Sequence, residues 1–312
     1  MDLAGDLVRL AREGDFTEFR RQNEHGGPVA ARLRAIRRSG RGAERRGALL
    51  ALLHLEGEAA LDPADLATLY RLIRIKAARD VPYAFDACFN GWLTVRGGDQ
   101  RGIMDVLGLT DAIPATYRLG ETLVSHLAHG GPDENHSGPE GSRDFAHVFI
   151  SPELDGWTVL RGPTCDLYRS PRLPGWIEAL SARYGQAHAF FFGSRSGSDA
   201  WLVGEGGRLL RRYSNDEPQI SFGDPLPFER RWMDHHRLPA PPEQLVHDEE
   251  FEDALDDYAG DCNAPELAAA LSIDPVSIRW PTRPHVRGGA LIARTGAGVQ
   301  QSVLRGCHSL EI

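Results

Sequence analysis

Two heptapeptides of this chain nearly match: GWLTVRG over Gly91–Gly97 and GWTVLRG over Gly156–Gly162. In each, a glycine releases the chain into a Trp-led run of β-branched and apolar residues, and an Arg-Gly pair closes it. Short apolar runs bounded by glycine read as strands, and an isolated pair of strands is marginal in water. The chain must therefore assemble a packed β structure around these segments. A helix closed by glycine and then an extended stretch follow each copy. Trp92 and the helical Ile103 are 11 residues apart, Trp157 and the helical Ile177 20 residues, so the match needs an insertion. A true duplication and two independent strand-helix-strand units both fit this pattern.

Before the first copy the hydrophobic period is helical. Leu3, Leu7, Val8 and Leu10 share one helix face, Phe16 and Phe19 open a second segment, and Val29–Ile36 and Ala43–Leu55 follow, with glycine breaks between them. Asp62-Pro63 places an N-cap before a first-turn proline, and the stripe Leu66, Leu69, Leu72, Ile73 runs on towards Val81-Pro82.

After Tyr83 the pattern changes. Trp92–Val95 reads as a strand, Gly102–Leu109 as a helix, and Thr116–Val124 as extended. The stretch HGGPDENHSGPEGSRD is a loop. Ala146–Ile150 and Trp157–Leu160 form a hairpin, Trp176–Tyr184 is a helix closed by Gly185, and Ala189–Phe192 is a strand. Ala200–Val203 and Arg208–Tyr213 make a second hairpin across Gly204–Gly207. The tail is Pro-rich, then acidic from Asp248 to Asp261, with one helix over Pro265–Leu271 before a Gly-rich finish. The expected fold is α+β: an N-terminal helical bundle, then two similar strand-helix-strand units with small, mainly antiparallel sheets. The boundaries are 1–80 helical, 81–130 first unit, 131–145 linker, 146–221 second unit, and 222–312 Pro-rich and acidic.

Charge divides unevenly. Residues 1–80 carry 15 Lys and Arg against 12 Asp and Glu, and the remaining 232 carry 20 against 32. The larger part therefore repels nucleic-acid phosphates on average. No apolar run approaches the roughly 20 residues that cross a bilayer, and the start, MDLAGDLVRLAREGD, has no basic-then-apolar leader. The expectation is an acidic, cytoplasmic protein with no membrane association. Cys88, Cys165, Cys262 and Cys307 are scattered singletons, which suits reduced thiols.

The strand Asp155–Leu160, the helix Ile177–Ser181, the hairpin Ala200–Tyr213 and the sequence Leu271-Ser272-Ile273-Asp274-Pro275 together resemble an actinobacterial family of uncharacterised proteins with the same elements, over about residues 45–280. The resemblance implies a fold and no activity. The Trp hairpin is also similar to immunity proteins of the SMI1/KNR4 type, which implies an acidic α+β module that binds a protein.

Several groups of residues invite a chemical reading. Gly193-Ser194-Arg195-Ser196-Gly197 has arginine where a nucleophile elbow needs serine, and a strand follows it, so it reads as a loop displaying Arg195 and Asp199. Arginine there suits bidentate recognition of a carboxylate or phosphate. Trp92, Trp157 and Trp201 are candidates to line a pocket whose polar end is His188, Arg195 and Asp199; core anchoring by the three Trp residues is the alternative. His126, His129 and His136 lack the acidic partner of a zinc protease. His235-His236 and His247-Asp248 offer metal ligands with Asp261 or Cys262, but spacing alone fixes no geometry; no metal and no cofactor is assigned. Arg32, Arg34, Arg37, Arg38, Arg41, Arg45 and Arg46 place seven guanidinium groups in fifteen residues, without interleaved aromatic residues for base stacking. They read as a solvated face, or as a contact for an acidic partner or nucleic acid. Arg294–Gly298 lacks a dinucleotide fingerprint, and Lys76, the single lysine, sits among charged neighbours in its helix.

Three functional expectations follow. The first is an interaction module, immunity-like or regulatory, with a protein partner and no assembled catalytic motif. The second is an enzyme of specialised metabolism acting on a small molecule between the two Trp-bearing units. The third is nucleic-acid binding through the Arg cluster, which the charge balance disfavours.

Overall fold

The computed structural model describes residues 3–13, 18, 29–85, 90–120, 147–162, 165, 167–168, 170–279 and 283–295. It is a mixed α and β structure in two compact units: of the described residues, those within 3–80 and 113–120 belong to one, and those within 81–112 and 147–295 to the other.

In the first unit, α1 (Leu3–Glu13), α2 (Val29–Ser39), α3 (Gly42–Glu56) and α4 (Pro63–Ala77) follow the helical period of the sequence. Leu7, Val8, Leu33, Ala48 and Leu52 meet in a common core. Gly47 permits the α1–α3 approach, since a Cβ there would lie 2.6 Å from the Val8 carbonyl oxygen. At the start of α4, Asp62 accepts a hydrogen bond from the Asp65 backbone N–H at 2.8 Å, and Pro63 occupies the first turn.

The described strands form one antiparallel sheet of nine: β1 (Asn90–Arg96), β2 (Leu109–Ala115), β3 (His147–Leu154), β4 (Trp157–Arg161), β5 (Gln186–Gly193), β6 (Ser198–Glu205), β7 (Arg208–Ser214), β8 (Val286–Arg287) and β9 (Ala290–Thr295). The order is β2-β9-β3-β4-β1-β5-β6-β7, with β8 also on β3. The sequence suggested separate small sheets; instead β1 lies between β4 and β5, so both Gly-Trp strands belong to one sheet and are direct neighbours. Their register is reciprocal: Trp92 stands opposite Arg161, and Arg96 opposite Trp157. The Arg96 guanidinium lies 5.1 Å from the Trp157 ring centre, and Arg161 lies 4.8 Å from that of Phe85. The β3–β4 hairpin turns on Asp155 and Gly156, with φ of 48° and 83°, the paired positive values of a tight hairpin.

Alternation divides the sheet into two faces. Leu93, Val95, Leu160, Ala187, Ala189, Phe191 and Leu202 pack against α5 (Gln100–Leu107) and α6 (Leu173–Tyr184) through Ile103, Leu107, Ile177 and Leu180. α5 stops at Leu107 because Gly108 takes the left-handed cap (φ 65°), and the extended segment begins at Leu109, ahead of the Thr116 start that the sequence suggested. Of that expected stretch, 117–120 is helical and 121–124 lies outside the described residues, as does the expected linker 131–145.

On the other face, α10 (Ala264–Leu271) packs against β5 and β6 and contacts α7 (Pro227–His236), which in turn contacts α9 (Glu252–Asp261); a single helical turn, α8, spans Pro242–Leu245. The Pro-rich tail is therefore largely helical. Pro227, Pro242 and Pro265 each sit in a first helical turn, where the missing N–H costs nothing.

Arg211 of β7 anchors this layer. Its side chain is fully buried: Nε donates to Glu229 Oε1 of α7 at 2.9 Å, Nη1 and Nη2 donate to Glu243 of α8 at 2.6 and 3.0 Å, and Nη1 also donates to the Gly223 carbonyl. Burial opposes the guanidinium charge, but Glu243 and Glu229 outweigh it and raise its pKa; burial raises that of Glu229. Removing one partner strands a buried charge. Arg211→Met is therefore expected to lower stability by about 3–5 kcal/mol, read from the guanidinium chloride midpoint and slope; a loss below about 1 kcal/mol, the scale of an exposed pair, would show that the pair is not buried.

Candidate functional site

The most developed concavity among the described residues lies beside this anchored layer. It encloses about 430 Å³ and is lined by Tyr213 and Asn215 from β7 and its exit, Pro242 and Val246 around α8, and Glu252, Leu255, Asp256 and Tyr258 on α9. His247, Asp248 and Glu249 complete the rim. Glu252, Leu255, Asp256 and Ala259 share one face of α9 by the helical i, i+3, i+4, i+7 rule, so that face forms a wall. Asp248, Glu249, Glu252 and Asp256 are exposed, and none makes an ion pair with another described residue. From Leu238 to Ile278 the sequence holds eleven Asp and Glu and no Lys or Arg.

The floor is aromatic and buried. Tyr213 stacks on Trp201 with centroids 4.2 Å apart, and the Arg211 guanidinium lies 5.5 Å from the Tyr213 ring centre. Burial raises the pKa of both Tyr213 and Tyr258 and pushes the Cys262 thiol up to about 12. These groups stay protonated at neutral pH, so the cleft offers no thiolate or phenolate nucleophile. Behind the floor, Asp199 accepts a hydrogen bond from the Ala264 N–H at 2.7 Å, at the start of α10, while its own N–H donates to Asn215 Oδ1. Burial, with help from Asp216, raises the Asp199 carboxyl to about 7 against the pull of the Ala264 N–H.

The structure places Trp92, Trp157, His188, Asp199 and Trp201 on the same face of the sheet; Trp92 and Trp201 flank Phe190, whereas Trp157, opposite Arg96, and Asp199, opposite Phe192, lie towards opposite ends of the strands. Trp92, Trp157 and Trp201 are at most 4 % exposed and serve as packing anchors: Trp92 stacks on Phe190 at 5.4 Å, and Trp157 lies 5.5 Å from His188. His188 is buried, and its ring nitrogens make no hydrogen bond with the described residues. Arg195 stands apart, exposed in the β5–β6 turn, where the Gly197 N–H bonds the Gly193 carbonyl at 2.9 Å.

In the Arg cluster, Arg34 pairs with Glu56 at 2.8 Å, and Arg37 forks onto Asp65. The Arg45 Nε donates to the Arg37 carbonyl at 2.9 Å, and Arg38 and Arg41 are exposed. The group is thus partly neutralised by acids of its own helical unit. His126, His129, His136, Cys88 and Cys307 lie outside the described residues; Cys165 and Cys262 are buried.

Tyr213, Tyr258 and the acidic wall of α9 were not assigned to a site from the sequence. The i, i+4 pair Glu252 and Asp256 was the available signal, hidden while 248–261 read as an acidic tail. His235, His236 and Asp261, raised by the sequence as ligands without geometry, do converge: their donor atoms lie within 4.8 Å of one another. No described helix is long and apolar enough to cross a membrane. Comparison with family models, with curated proteins and with solved structures finds no match, so the functional reading rests on the site.

The buried titrating groups set a pH signature. Burial lowers His147 and His188 from 6.5 to about 4, so their contribution to stability is present above pH 6.5 and lost as pH falls towards 4. Asp199 has the opposite sign: its raised pKa favours the fold below pH 3.8, and this is lost as pH rises through 7. Asp199→Asn keeps an acceptor for the Ala264 N–H and cannot ionise. Its melting temperature relative to the parent chain should climb between pH 4 and pH 8 in thermal scans; a flat difference would show that the carboxyl titrates normally.

Proposed function

We propose that this protein is an interaction module, immunity-like or regulatory in kind, that binds a basic segment of a protein partner in the acidic cleft and performs no chemistry of its own. The observation that supports this reading is four exposed carboxylates without an ion-pair partner among the described residues, set around two buried tyrosines. Arginine or lysine side chains entering such a cleft gain charge-assisted pairing with these carboxylates. The thiol and phenols held neutral by burial weigh in the same direction. The first unit would act as a scaffold in this reading. The reciprocal pairing of β1 and β4 favours an origin of the two strand-helix-strand segments by duplication.

An enzyme acting on a small molecule is the second reading, and one observation favours it: a carboxyl near 7 is suited to proton transfer at neutral pH. Loss of any measured turnover in Asp199→Asn, with the fold intact, would support it.

The interaction reading is tested by calorimetric titration of the whole chain with an octa-arginine peptide. Binding should weaken steeply with added salt and drop by more than tenfold in Glu252→Arg/Asp256→Arg. The same number of reversals at exposed sites outside the cleft, Asp105→Arg/Glu178→Arg, should cost far less. Equal losses in the two variants would reduce the effect to overall charge and remove the cleft from consideration.

A further inference from the structure

We propose that His235, His236 and Asp261 form a binding site for a divalent transition-metal ion of the zinc type, separate from the acidic cleft and independent of the reading above. The two histidines occupy the last turn of α7, which ends when Arg237 adopts a left-handed cap (φ 55°). Asp261 is the last residue of α9. The negative ends of two helix dipoles and one carboxylate thus meet at a single point, an arrangement that favours a cation.

The donor set is chemically selective. Two imidazoles and one carboxylate suit zinc, nickel, copper or ferrous ions rather than calcium or magnesium, which prefer all-oxygen shells. His236 Nε2 and Asp261 Oδ2 are 3.0 Å apart. With metal–ligand bonds of about 2.0–2.1 Å, that separation subtends roughly 90° at a shared ion. All three donor atoms lie within 4.8 Å of one another, and His235 is exposed. Three protein ligands leave the remaining positions to water, as in open zinc sites.

The rings are also held in place. Trp232, one turn back on α7, stacks on His236 with centroids 6.2 Å apart at 25° and meets His235 edge-on at 5.6 Å. The Arg231 guanidinium lies 5.3 Å from the centre of the same indole. Ligand rings fixed before the metal arrives reduce the ordering cost of binding. An ion held there ties the C-terminal end of α7 to that of α9, the helix that forms one wall of the cleft.

Calorimetric titration of the tag-free full-length chain with zinc chloride tests the site. One equivalent should bind and raise the melting temperature. His235→Ala/His236→Ala and, separately, the near-isosteric Asp261→Asn should each weaken binding by at least about tenfold. Copper(II) should quench one tryptophan's share of the emission of six, and Trp232→Phe should abolish that component. Circular dichroism establishes that each variant is folded. Zinc affinity equal in the parent and the histidine double variant would place the metal elsewhere, and absence of binding at millimolar zinc would leave His236 and Asp261 as an ordinary ion pair; either result overturns the proposal.

Discussion

One guanidinium buried between two carboxylates holds the C-terminal helices to the sheet. Arg211 leaves β7 and reaches Glu229 and Glu243 at the same time, so α7 and α8 are positioned by one side chain. The cost of burying three charges is offset only while all three remain, which gives the arrangement its all-or-none character. The cleft depends on it directly. Pro242 and Val246 flank the segment that Glu243 pins, and Tyr213, two residues along β7, forms the floor. A disturbance at Arg211 therefore reaches the cleft without touching a rim carboxylate.

The sheet itself shows a division of labour. One face is aliphatic and packs on α5 and α6 as a conventional core. The other carries Trp92, His188, Phe190, Trp201, Tyr213, Asp199 and Arg211, so polar groups and large rings share a dry environment. The two Gly-Trp strands are the clearest product of this arrangement. Because they run antiparallel as neighbours, the four-residue Trp-to-Arg spacing that each carries brings every Trp opposite the other strand's Arg. The near repeat in the sequence is thus a pairing rule between strands, with no catalytic group in either copy.

Much of this was legible in advance. The Asp62-Pro63 helix start, the Asp155-Gly156 hairpin and the helix closed by Gly185 follow from local chemistry, and they were read correctly because each involves residues close in sequence. What the sequence hid was long-range. Nothing local says that β1 inserts between β4 and β5, so two units were expected where a single sheet exists. The tail misled for a different reason: Pro227 and Pro242 look like breakers until each is seen in a first helical turn, whereas the helix over Pro265–Leu271 was expected. The site was hidden with it, since the carboxylates of 248–261 become a rim only after α9 forms and turns one face to Tyr213.

At the far end of the sheet, Phe222 forms a two-way backbone bridge with Arg212 on the outer side of β7, and the Ser214 N–H is taken by Ser221 Oγ. An open strand edge is an invitation to foreign chains, both to partners that add a strand and to copies of the same protein that aggregate. This short strap blocks that route on β7, since two of the donors such a strand would need are already engaged. Any chain that met this side of the molecule would then find side chains before backbone, so that charge and shape, and not strand register, would decide the contact.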